Sequence, residues 1–69
     1  MMLNDILMWN KIGRIIIQLA ERLNIEPKKA LDLFYSSKTN QRLHDEHDFL
    51  NTMSDQYIVD ETIFELQGR

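Results

Sequence analysis

Apolar residues recur at three- and four-residue steps along most of the chain. Met8, Trp9, Ile12, Ile16, Leu19, Ala20 and Leu23 keep that spacing, and at 100° per residue they form one broad helical stripe. Asn10, Lys11, Arg14, Gln18, Glu21 and Arg22 take the other side. The pattern predicts a first helix from about Asn4 to Leu23. Asn4 suits its cap, and Asp5 sits in the first turn, where negative charge complements the helix dipole. Gly13 falls at the edge of the stripe. A glycine inside a helix costs about 1 kcal/mol relative to alanine, so it is either tolerated or marks close approach of a second helix.

Pro27, whose fixed φ suits the first helical position, opens a second helix that reaches Tyr35 or Ser36. Ala30, Leu31, Leu33 and Phe34 form its inner face. The link Asn24-Ile25-Glu26 is short, which makes the first two helices neighbours. Ser36, Ser37, Thr39 and Asn40 cap helices better than they fill them, because their side chains compete for backbone donors. They mark a break. A short third helix follows from about Asn40 to Asp48, anchored by Leu43 and trailed by Phe49 and Leu50. Asn51-Thr52-Met53 reads as a loop. Ser54 caps a fourth helix with Asp55 in its first turn. There Ile58, Val59, Thr62, Ile63 and Leu66 share a face, and Gly68 ends the helix. Tyr57-Ile58-Val59 are residue types that favour strands. Their spacing nevertheless continues at helical steps, and no second strand-like run exists to pair with them. The fold reading is all-α: a single domain over residues 1–69, three main helices plus one short helix in an orthogonal or irregular bundle.

A chain of 69 residues is long enough for one domain, which buries only about 60% of the surface its unfolded form exposes. It has no cysteine, so neither a disulfide nor a cysteine–zinc site can reinforce it. Helix packing or association must supply its stability. The lack of cysteine also agrees with a reducing compartment. With a net charge of −3 and a pI of about 5.2, the chain repels a phosphate backbone unless its cations cluster. The tightest basic group is Lys28-Lys29. Asp5, Lys11 and Arg14 interrupt the N-terminal region, and no small-residue cleavage site follows, unlike a signal peptide. No apolar run approaches the ~20 residues of a membrane span. The expectation is a cytoplasmic protein with no membrane partner.

The stretch ALDLFYSSKTNQRLHDE, followed by FLNTMSDQYIVDETIFEL, resembles a family of small bacterial proteins of unknown function, domain of unknown function 3791. The likeness runs from about Ile25 to Leu66. Its clearest pieces are Ala30–Phe34, Leu43, Leu50-Asn51-Thr52 and Tyr57-Ile58-Val59-Asp60, mostly core and capping residues. Many members carry a histidine before the loop threonine and a glycine ahead of the last helix; Asn51 and Ser54 stand there here. The resemblance implies a partner-binding or antitoxin-like accessory role, beside a larger protein similar to ADP-ribosylating toxins.

Candidate chemistry is sparse. His44 and His47 lie one helical turn apart with Asp48 alongside, the start of a metal site. They are not the His-Glu-x-x-His motif, and no further ligand or supporting shell is evident. Glu61 with Glu65, and Asp45 with Asp48, read as exposed polar faces. Ser36, Ser37 and Ser54 sit where caps are needed, and two glycines cannot make a phosphate loop. No catalytic, cofactor or metal residue is therefore assigned, and the chain reads as a non-enzyme. The alternative is a helix-turn-helix-like DNA-associated regulator using Lys38, Asn40 and Arg42, with Gln41 and His44 on the same helix. Asp45, Glu46, Asp48 and the overall acidity oppose it.

A different pattern points to protein contact. Tyr57 and Phe64 are seven residues apart, nearly two full turns, on a line opposite the Ile58-Thr62-Leu66 stripe. Ile17, with Ile6 and Leu7, likewise falls off the main stripe of the first helix. Either these helices are covered on two sides, or the second faces meet another copy or a partner. Trp9, Ile17, Tyr57 and Phe64 are the candidate interface, since aromatic anchors dominate such contacts.

Overall fold

The computed structural model describes the backbone of residues 3–68 and the side chains of residues 6–68. The described residues fold into α1 (Leu3–Leu23), α2 (Pro27–Tyr35), α3 (Lys38–Leu43) and α4 (Asp55–Gln67), with a 3-10 turn, Phe49–Thr52, between α3 and α4. Among the described residues there is no strand, and Tyr57-Ile58-Val59 is helical. No described helix is long and apolar enough to cross a membrane.

α1 starts one residue earlier than predicted, so Asn4 is already helical rather than a cap. The side chains of Asn4 and Asp5 lie outside the described residues. At its other end α1 is stopped by Asn24, whose φ of 55° is left-handed. Asparagine tolerates that conformation better than most residues with a Cβ. The Asn24 N–H donates to the Glu21 carbonyl at 3.3 Å and the Ile25 N–H to that of Ala20 at 3.0 Å. This is the paired closure of a Schellman motif, with asparagine in the position glycine usually holds. The chain reverses at once, and Pro27 opens α2 back against α1.

The core is assembled from Ile12, Ile15, Ile16, Leu19 and Ala20 of α1, Ala30 and Phe34 of α2, Leu43 of α3, Leu50 of the 3-10 turn, and Ile58 and Val59 of α4. Met8, Leu23, Ile25, Leu31 and Ile63 close its edges. Ile15 is fully enclosed although the predicted stripe omitted it. Trp9, which the stripe included, stands mostly in solvent. The true buried arc is rotated toward Ile15, away from Trp9.

α3 is shorter and earlier than the predicted Asn40–Asp48. It begins at Lys38 because Ser37 caps it, the Ser37 hydroxyl accepting from the Asn40 N–H at 3.1 Å. It ends at Leu43. Asp48 then caps the 3-10 turn, accepting from the Leu50 N–H at 2.9 Å. The predicted loop at Asn51 and Thr52 is therefore the end of that turn, which delivers Leu50 to the core. Ser54 caps α4 as expected, accepting from the Tyr57 N–H at 3.1 Å. Gly68 ends α4 with a φ of −79°, so the predicted glycine stop works without a left-handed residue.

α1 packs against both α2 and α4, and α3 bridges α2 and α4. Its 21 residues rise about 31 Å, close to the 33 Å long axis of the molecule. Asp55 pairs with Lys11 and Arg14 near the middle of α1, and Asp60 pairs with Arg22 near its end. α4 thus runs beside α1 in the same direction.

A candidate protein-interaction surface on α1 and α4

The side of α1 turned away from the core carries two rows at four-residue steps: Trp9, Gly13, Ile17 and Asn10, Arg14, Gln18. Together they line an open groove of about 560 Å³. Rows at this spacing are the ridges that helices present to one another. The first row dips at Gly13, between Trp9, 58% exposed, and Ile17, 52% exposed. A Cβ placed on Gly13 would meet no atom within 4 Å. Among the described residues no second helix comes that close to it, which removes the intramolecular reason for a glycine there.

The outer side of α4 is a ridge. Tyr57 is 45% exposed and Phe64 73% exposed, with Asp60 and Glu61 between them in sequence. The arrangement in which α1 and α4 are covered on two sides is not the one adopted: Trp9, Ile17, Tyr57 and Phe64 all stand open, as do Ile6 and Leu7.

Groove and ridge border a common polar strip. Gln18 lines the groove and also an adjoining shallow pocket with Glu21, Arg22 and Gln56. The Arg22 guanidinium donates to Asp60 of the ridge at 2.8 Å. At the other end Arg14, a wall of the groove, donates through Nε to Asp55 at 2.6 Å. The Lys11 ammonium donates to Asp55 at 2.9 Å and to the Met53 carbonyl at 2.9 Å. The Arg14 hydrogen bond, with help from Lys11, holds the Asp55 carboxyl below the usual carboxylate range against the opposing effect of partial burial. These bonds fix the start of α4 on α1 and so set the spacing of ridge and groove.

The other sequence candidates fall apart geometrically. His44 is the C-cap of α3 and His47 lies in the following turn, so they do not share a helical face as predicted. Asp45 accepts from the His47 N–H at 2.9 Å, and Asp48 caps its turn while taking 2.9 Å contact from Arg42. That Arg42 hydrogen bond, then the Leu50 N–H, hold the Asp48 carboxyl low. Among the described residues no three His, Asp or Glu side chains gather as a metal would require. Of the DNA-contact candidates, Arg42 is drawn back onto Asp48 and, at 3.6 Å, onto Glu61. Asn40 is half-buried, with its Oδ1 enclosed and without a hydrogen-bond partner among the described residues.

Two functional features escaped the sequence reading. Glu65 is not part of an exposed face: its carboxylate accepts from the Lys38 and Thr39 N–H groups at 2.8 and 3.0 Å and from the Thr39 hydroxyl at 2.8 Å. It anchors the start of α3 to α4. Only tertiary structure could show this, because the partners are 26 and 27 residues away. The groove, by contrast, left a local signal: a glycine midway between two large apolar residues at four-residue steps. No family model, curated protein or solved structure matches the chain.

Proposed function

We propose that this protein is an interaction module whose contact surface is the α1 groove and the α4 ridge, acting by binding another chain and not by catalysis. The observation that carries this reading is Gly13. A mid-helix glycine costs about 1 kcal/mol, its side faces empty space, and it forms the floor of an apolar groove. Nothing inside the fold recovers that cost, whereas a docked helix would, since glycine lets backbones approach closely. Exposed aromatic side chains flanked by polar groups are the usual composition of such contacts. The resemblance to domain of unknown function 3791 supports an accessory role, with a larger chain similar to ADP-ribosylating toxins, or a second copy, as the partner.

The test is the size of the tagged chain in native lysate. The wild type should elute above the position of the tagged monomer. Phe64→Asp should keep its helical circular dichroism and elute at the monomer position. Identical elution of both proteins, with both folded, would count against this surface.

A further inference from the structure

We infer that residues 38–53, α3 with the 3-10 turn, form a strap that opens as one unit while α1, α2 and α4 stay packed, with the Glu65 carboxylate as its latch. Among the described residues, Leu43 and Leu50 are the only strap side chains in the buried apolar core. The rest of that core lies on α1, α2 and α4, and α1 packs directly on both of the others. The strap therefore gives up little burial on opening. A segment with few buried apolar contacts opens at less cost than global unfolding.

One carboxylate makes the strap a unit. Asp48 accepts from Arg42 Nε through one oxygen and from the Leu50 N–H through the other, both at 2.9 Å, which joins α3 to the turn. The attachment to α4 is narrower. Glu65 holds the start of α3 by three hydrogen bonds. The Arg42–Glu61 pair, 3.6 Å long and partly exposed on both sides, adds little. Both ends are built to swing. Ser37 at one end, and Met53 and Ser54 at the other, are extended residues between helical segments, positions that absorb the backbone rotation of a hinge. The Lys11 ammonium holds the Met53 carbonyl at 2.9 Å and so keeps the far hinge on α1. The closed strap also leaves Asn40 Oδ1 enclosed without a hydrogen-bond partner among the described residues, a cost that opening relieves because water then reaches it. Opening uncovers the side of the core between α2 and α4, where α3 packs.

Native-state hydrogen exchange of the purified chain, read residue by residue in low urea, is the test. The His44 N–H, bonded to the Asn40 carbonyl at 3.3 Å, reports on α3. The Leu50 N–H, bonded to Asp48, reports on the turn, and fully buried Leu19 of α1 reports on global unfolding. His44 and Leu50 should share one opening constant, at least about tenfold above that of Leu19, with a shallower urea dependence because less surface is exposed. Glu65→Ala should speed exchange at Leu50 by the same factor as at His44, about tenfold or more, although the Leu50 N–H bonds to Asp48 and not to Glu65. If that variant loses its helical signal, Glu65→Gln, which keeps one acceptor oxygen, replaces it and should give a smaller but again equal acceleration. Exchange of His44 and Leu50 at the rate of Leu19 would show that the strap does not open by itself and would overturn the inference. Acceleration at His44 alone would mean that α3 frays independently of the turn, and would overturn the single unit.

Discussion

Glu65 shows how much a single carboxylate can organise. Its two oxygens satisfy two backbone donors at the start of α3 and the Thr39 hydroxyl, donors a six-residue helix cannot satisfy itself. Glu65→Ala leaves them without that acceptor. Hydrogen bonds to charged groups are worth about 1.5–3 kcal/mol, so the variant should lose roughly that much in a urea titration. A midpoint unchanged from wild type would mean water replaces the carboxylate without cost. Residues with local causes were legible in the sequence: Ser54 as a cap, Pro27 at the start of α2, Ile17, Tyr57 and Phe64 as off-core. Those with distant causes were not. Glu65 looked like surface because its partners are far away in the chain. Ile15 looked peripheral because the stripe could equally be drawn through Trp9, and only packing against α2 and α4 selects between the two arcs.

The helices themselves were mostly readable because each carries its own punctuation. α2 and α4 match their predicted spans within a residue or two. The third helix was misplaced because its cap competition was resolved by Ser37, while the downstream polar run forms turns around Asp45 and Asp48. The α1–α2 joint makes a sharper prediction. Asn24 has a left-handed φ of 55°, which costs a β-branched residue about 1–2 kcal/mol. Asn24→Val should lower stability by about that amount, while Asn24→Gly should leave it near wild type or raise it slightly. Equal loss from both would show that the asparagine side chain matters, not its backbone.

For the whole molecule, electrostatics holds α4 to α1 and α3 to the turn that follows it. Asp55 and Asp48 have their carboxyl pKa values lowered by Arg14 and Arg42 respectively. A carboxyl lowered in the folded state contributes stability that is in full force above its unfolded pKa of about 3.9. That contribution is lost as pH falls through the lower folded value. The urea midpoint should therefore stay level from neutral pH to about 5 and fall progressively below about 4. Asp55→Asn should flatten that fall. A midpoint that rises on acidification would contradict the ion-pair account. The same bonds set the distance between groove and ridge, so association should weaken over the same acid range.

The most direct test of the account is the elution size of Gly13→Gln beside the wild type in native lysate. Glutamine is a good helix former placed where the fold leaves open space, so the variant should be at least as stable as the parent. It should nevertheless elute at the monomer position where the wild type elutes larger, because the groove is filled. Association of Gly13→Gln as tight as that of the wild type would contradict the claim that this groove is a contact surface.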